Sequence, residues 1–149
     1  MSDFGLLVIG EARSWIGTPY VAQASAKGAG CDCLGLVRGI WRSLVGAEPE
    51  EVPGYTPDWG ECDGRELLHE AAMRHLVPVE AASGEASGQV ILFRMRDRAV
   101  AKHVGIMGLA GAGATFVHAY SGHGVVESPL SLPWRRRIAA RFAFPERSP

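Results

Sequence analysis

Lys102-His103-Val104-Gly105-Ile106-Met107-Gly108-Leu109-Ala110-Gly111-Ala112-Gly113-Ala114-Thr115-Phe116-Val117-His118-Ala119-Tyr120 is the stretch that decides the fold. Two apolar runs of period 2 flank a Gly/Ala-rich turn, the pattern of a β-hairpin. The runs predict strands over His103–Leu109 and Thr115–Tyr120. A turn at Gly111-Ala112 sets His118 opposite Gly105. Gly105 is two residues from His103, so both histidines should project from one sheet face as diagonal neighbours. A slip of one residue would separate them.

Outward from this hairpin, further period-2 runs predict strands over Gln89–Met95, Gly124–Glu127 and Ala139–Phe144. Short turns such as Ser121-Gly122-His123 make the sheet antiparallel. The N-terminal half has period 3.6 instead. Residues 4–16 read as an amphipathic helix with Phe4, Leu7, Val8, Ala12 and Trp15 on its apolar face, stopped by Gly17-Thr18-Pro19-Tyr20. Residues 21–32 are small and Gly/Ala-rich and read as a loop. A second helix is expected from Cys33 to Val45, with Asp32 as N-cap and Gly46 at its C-terminal end. Residues 47–62 hold three prolines and two glycines and read as a long loop, with Tyr55 and Trp59 as its contact residues. A third helix is expected over 64–76, with a capping box from Asp63 to Glu66, and 80–88 as a connector. Helices first and strands afterwards indicate an α+β fold, with helices packed on one face of an antiparallel meander.

The chemistry centres on Gly30-Cys31-Asp32-Cys33-Leu34-Gly35-Leu36-Val37. Cys33 falls in the first turn of the second helix, where free N–H groups and the helix dipole favour a thiolate and can hold an oxyanion. A buried structural thiol is the competing reading of a lone cysteine. His103, at a strand start, is a candidate base for it. His118 is a candidate to orient that base, as the third member of a triad does. Tyr20, after Pro19 and ahead of the loop that leads into Cys33, is placed to lean over the nucleophile or to pack at a helix end. Cys31, Cys33, His118 and His123 offer nitrogen and sulfur for a metal, but Cys-x-Cys and His-x4-His are poor matches to structural zinc spacing. No metal or other cofactor is expected. Cys62, His69 and His75 read as core or surface residues.

The bulk numbers agree with a single domain over 1–149. The 149 residues are 47% hydrophobic and 21% charged, and 15 Lys+Arg against 16 Asp+Glu leave a net charge of −1. Nucleic acid is therefore not the expected partner. Arg135-Arg136-Arg137 reads as a solvated edge. No stretch approaches the ~20 apolar residues of a membrane span. The start, Met1-Ser2-Asp3-Phe4, lacks the basic flank of a secretory signal, so synthesis in the cytoplasm is expected. Three cysteines cannot form a complete disulfide framework.

Four segments in order, Trp15-Ile16-Gly17-Thr18-Pro19-Tyr20, Asp32-Cys33-x-Gly35-Leu36-Val37, Lys102-His103-Val104-Gly105-Ile106 and Phe116-Val117-His118-Ala119, resemble the NlpC-type peptidoglycan cysteine peptidases. Val52–Trp59, Val90–Arg94 and Trp134-Arg135-Arg136…Phe142-Ala143-Phe144-Pro145 resemble the short branch encoded in phage tail and gene transfer agent clusters. The resemblance implies a papain-like fold. It implies hydrolysis of peptidoglycan stem peptides, typically at the γ-D-glutamyl–diaminopimelate bond. It implies Cys33 as nucleophile, His103 as base and His118 as the orienting residue. Tyr20 and Asp32 match positions that line the site, Asp32 toward a free amino group of the substrate. With no export signal or wall-binding module, tail-tip or hub proteins of a phage-like particle are the implied partners. The alternatives are a structural tail-hub protein that has kept the fold, and an amidase or acyltransferase on that fold. Two positions depart from the pattern. Many relatives have Ser where Leu34 stands, and Gly-Asp where Gly88-Gln89 stands.

Overall fold

The structure, a computed structural model, describes residues 3–50, 66–96 and 98–146. Tyr55, Trp59, Cys62, Asp63 and most of the expected 47–62 loop lie outside them. Helix α1, Asp3–Arg13, buries Val8, Ile9 and Ala12 and carries Asp3 and Arg13 at the ends where the helix dipole favours their charges. The expected loop contains a small hairpin, β1 (Ser25–Ala26) with β2 (Gly30–Cys31). Helix α2 runs Cys33–Leu44. Two of its buried residues are glycines because of what they touch. A methyl on Gly35 would overlap the Ala24 carbonyl, and one on Gly39 would overlap the Trp15 indole. Each glycine costs about 1 kcal/mol of helix propensity, which close packing offsets. Helix α3 is Leu67–His75. The Glu66 carboxylate accepts from Ala101 N–H (2.9 Å) and pairs with Arg94 (2.6 Å); the expected capping box turns on Asp63, outside the described residues.

Six strands form one sheet, all neighbours antiparallel: β3 (Val77–Val79), β4 (Val90–Arg94), β5 (Ala101–Met107), β6 (Thr115–Tyr120), β7 (Gly124–Pro129) and β8 (Ile138–Ala143). Their order is β3-β8-β4-β5-β6-β7. Strands β4 to β7 are the expected meander. Two features differ from expectation. After β7 the chain passes through the short helix α4 (Leu132–Arg135) and β8 returns to the free edge of β4. The 80–88 connector is preceded by β3, whose central Pro78 is tolerated because this is an edge strand.

Strands β4 to β6 are buried on both faces, so β4 reads as an unbroken apolar run. On one face Val90, Leu92, Val104, Ile106, Val117 and Ala119 pack with α1 and α2 residues. On the other, Ile91, Phe93, Met107 and Phe116 form a second cluster with Trp134 and Ile138. Helices α1 and α2 therefore cover one face as expected, and Leu130, just before α4, and Trp134, within it, pack on the other. Among the described residues no helix is long and apolar enough to cross a membrane.

Candidate active site

Asp32 fixes the start of α2. Its Oδ1 accepts from Gly35 N–H at 2.7 Å, the expected N-cap, and its Oδ2 accepts from Gln23 N–H at 2.7 Å. The second bond holds Gln23 at φ 65, a left-handed backbone that non-glycine residues seldom adopt. Asp32 is 3% exposed, so the carboxylate is a buried clamp joining the 21–24 turn to the helix that presents Cys33.

Cys33 is half-buried in the first turn of α2. It meets β5 at a break in the sheet. The β5–β6 pairing runs only through Met107↔Phe116 and Ile106↔Val117. Alternate residues of β5 point their backbone groups at β6, so Val104 and Lys102 lie past the end of this ladder. Cys33 occupies that place. Its Sγ lies 3.9 Å from the Lys102 carbonyl, and the Val104 N–H is directed at the sulfur. The residue between those two is His103.

His103 is 7% exposed and His118 1%. His118 follows Val117 just past the end of the β5–β6 ladder and lies beside Gly105, its Cβ 3.3 Å from where a Gly105 Cβ would stand, in line with the register that the sequence predicts. The turn is longer than two residues, with Ala114 N–H bonded to Gly111 O and Thr115 N–H to Leu109 O. His103 Nε2 and His118 Nδ1 share a hydrogen bond of 2.8 Å. His118 Nε2 lies 2.9 Å from Ser128 Oγ. Phe93, Phe116, Tyr120 and Trp134 enclose the two imidazoles, with Trp134 5.7 Å from the His103 ring centre and 5.4 Å from that of His118. The structure thus joins His103 to His118 and sets Cys33 against the backbone on either side of His103. No hydrogen bond between Sγ and an imidazole occurs among the described contacts.

The electrostatics differ from the expected thiolate. Burial, and then the neighbouring Asp32 charge, push the Cys33 thiol up to about 12. The N–H groups of Val104, Leu34 and Cys33 oppose this but do not prevail. Burial, then His118, lowers His103 to about 3; burial, then His123, lowers His118 to about 4. At neutral pH the site holds a neutral thiol and two neutral imidazoles. Tyr20 pairs with Cys31 through an isolated bridge. Burial, then the nearby Cys33, raises its phenol, so it stays protonated and able to donate. Cys31 is fully buried and also pushed up to about 12, by burial and then Asp32. Among the described residues no three His, Cys, Asp or Glu side chains converge on a metal position.

Sequence reasoning missed two neighbours. Ser128 required β7 to extend beyond Glu127 and to place residue 128 on the face of His118. Trp134 required α4 to fold back over that face. The arginine run also resolves differently from a uniform solvated edge. Arg135 pairs with Glu85 at 2.6 Å, and the Arg137 guanidinium sits 5.4 Å from the Trp134 ring centre. One helical turn sends successive side chains in different directions, which leaves Arg136 exposed.

The architecture is that of the papain-like α+β class, and within it of the NlpC/P60 structures. Of this chain, 97% superposes on NlpC1 from Trichomonas vaginalis (TM-score 0.64, 19% identity, 45% of that chain). An NlpC/P60 family protein from Bacillus cereus matches over 94% of this chain (TM-score 0.63, 19% identity, 40% of that chain). The NlpC/p60 domain of the peptidoglycan hydrolase SagA matches over 94% of this chain and 98% of its own length (TM-score 0.60, 20% identity). The chain spans less than half the length of the first two, and nearly all of the third. No protein-family model matches the sequence, and no curated protein sequence does.

Proposed function

We propose that this chain is a cysteine peptidase acting on bacterial cell-wall stem peptides, with Cys33 as nucleophile, His103 as base and His118 as the residue that orients the base. One observation carries the reading. His118 engages His103 at Nε2, which leaves Nδ1 to take a proton, and Cys33 is held against the flanking backbone of the same strand. Neutral thiol and neutral imidazole are the reactants of a general-base step, in which the proton leaves Sγ as sulfur attacks the carbonyl. Hydrogen bonds of this kind are often long before substrate binds and tighten in the complex. The C–N bond then breaks, His103 returns the proton to the leaving amine, and water hydrolyses the thioester. The Cys33 N–H and the Tyr20 hydroxyl are the donors available to the oxyanion. Asp32, with both oxygens bonded to backbone amides, acts on this pathway as the clamp of α2.

The NlpC/P60 architecture shared with a peptidoglycan hydrolase domain and the four motifs in order support this choice of substrate. The γ-D-glutamyl–diaminopimelate bond is the proposed point of cleavage, and Leu34 is the position at which peptide preference departs from relatives with Ser. The tail-cluster resemblance of Val90–Arg94 and Trp134–Pro145 supports cytoplasmic synthesis, assembly into a phage-like tail or gene transfer agent through tail-tip or hub proteins, and action in the wall. Purified muropeptides are the test substrate. Turnover that persists unchanged in Cys33→Ala refutes the nucleophile, and absence of the protein from purified particles refutes the delivery route. A structural tail-hub role is the second reading, favoured by the neutral thiol without an imidazole hydrogen bond. It predicts intact particles and no muropeptide turnover by the wild type.

A further inference from the structure

We infer that Ser128 is a positioning residue: its hydroxyl accepts a hydrogen bond from His118 and thereby fixes the proton arrangement in which His103 can act as a base. The inference rests on the reading of Cys33 and His103 above, and it concerns a residue outside that triad.

The geometry is a linear chain. His103 Nε2 meets His118 Nδ1 at 2.8 Å, and His118 Nε2 meets Ser128 Oγ at 2.9 Å. Ser128 is set for this by register: His118 faces Val126 across β6–β7, so Ser128, two residues on, is its diagonal neighbour on one sheet face. A neutral imidazole has one donor and one acceptor nitrogen. A line of two neutral imidazoles ending at a hydroxyl therefore has only two consistent proton arrangements. In the first, His103 carries its proton on Nε2 and gives it to His118 Nδ1, while His118 carries its own on Nε2 and gives it to Ser128 Oγ. In the second, every bond is reversed: Ser128 donates, His118 is protonated on Nδ1, and His103 is protonated on Nδ1.

Only the first arrangement leaves the His103 Nδ1 lone pair open to the Cys33 proton. It also persists when that proton arrives, because the imidazolium still donates from Nε2 to His118. The second arrangement blocks the base with its own proton. Competence at Cys33 therefore depends on what accepts from His118 Nε2, two hydrogen bonds away. That acceptor is the Ser128 hydroxyl. Ser128 is half-buried and borders an open cavity of about 300 Å³ with Tyr120, His123 and Arg137. Its own proton can thus point into solvent while Oγ accepts, which suits the first arrangement. Without the hydroxyl, the His118 N–H would have only water of the adjoining cavity, which His118 also lines, in place of a fixed acceptor, and the pair would lose its preference.

The experiment has two readouts on the full chain. Two-bond ¹⁵N–¹H correlations at neutral pH report the tautomer of each histidine, and muropeptide hydrolysis reports kcat and KM. The wild type should show His118 protonated on Nε2 alone. Ser128→Ala should show mixed or reversed tautomers and a kcat about tenfold lower, the scale of one lost hydrogen bond, with KM unchanged. Ser128→Thr, which keeps the hydroxyl, should restore both. Wild-type His118 protonated on Nδ1 overturns the inference, as does Ser128→Ala with the wild-type tautomer and rate, or Ser128→Thr that behaves like Ser128→Ala. If the wild type turns over no muropeptide yet shows the Nε2 tautomer that Ser128→Ala loses, the peptidase reading fails and the Ser128 assignment stands.

Discussion

Replacing Asp32 with Ala should damage stability first and chemistry second. At least two hydrogen bonds are lost. The bond from Gly35 N–H to Oδ1 (2.7 Å) is an N-cap, with a cost of about 1–2 kcal/mol. The bond from Gln23 N–H to Oδ2 (2.7 Å) ends on an exposed residue, where water replaces part of it, and costs about 1 kcal/mol. The sum is about 2–3 kcal/mol, or a fall of about 5–10 °C in Tm for a chain of this length. Loss of the carboxylate should also acidify Cys33, because the Asp32 charge is the second largest cause of its raised pKa. Iodoacetamide should therefore label Cys33 faster at pH 8 in the variant than in the wild type, with Cys31 and Cys62 replaced by Ser in both backgrounds. Urea denaturation and timed alkylation of one preparation measure both effects. An Asp32→Ala protein that keeps wild-type stability, loses only substrate affinity and alkylates no faster would refute the clamp. It would make Asp32 the amine-binding residue that the family resemblance implies.

In the wild type, Cys33 alkylation should rise about tenfold per pH unit from pH 7 to 10 without an acidic plateau, because its thiol titrates near 12; a plateau below pH 7 would indicate a preformed ion pair. His103 and His118 titrate lower in the folded chain than the ordinary 6.5, at about 3 and about 4. The unfolded chain therefore binds more protons below pH 6.5, and stability present above that pH is lost as pH falls toward 4. The limiting slope is about 2.7 kcal/mol per pH unit for two groups. His103→Gln with His118→Gln should flatten this limb in urea titrations at stepped pH. In muropeptide hydrolysis, the proposed roles, His103 as base and His118 as the residue that orients it, predict that His118→Ala lowers kcat less than His103→Ala; equal rates in both variants and the wild type would place the base elsewhere.

Much of this site was legible because strand register is local arithmetic. His103, Gly105 and His118 needed only a turn position and a period of 2, and the extra turn residues left the register intact. Asp32 as a cap was legible for a similar reason, being three residues from its Gly35 partner. What escaped the sequence depended on distant pieces. The Cys33 pKa turns on burial against β5, which outweighs the local helix terminus. Ser128 reaches His118 because β7 runs past Glu127 and the β6–β7 register makes the two diagonal neighbours, while Trp134 reaches the histidines because the chain after β7 crosses back over the sheet, and no local pattern encodes that return. The bonds of the Glu66 carboxylate to Ala101 N–H and Arg94 likewise join residues 35 and 28 positions apart, beyond any local pattern. The glycines of α2 lower helix propensity, and their reason, contact with Ala24 and Trp15, is tertiary.

Mass spectrometry of peptidoglycan digested in parallel by the wild type and Cys33→Ala tests the central claim most directly. The wild type should release stem-peptide fragments with a new γ-D-glutamyl carboxyl and a new diaminopimelyl amine, and Cys33→Ala should release neither. The same fragments from both proteins, or none from the wild type, would contradict it.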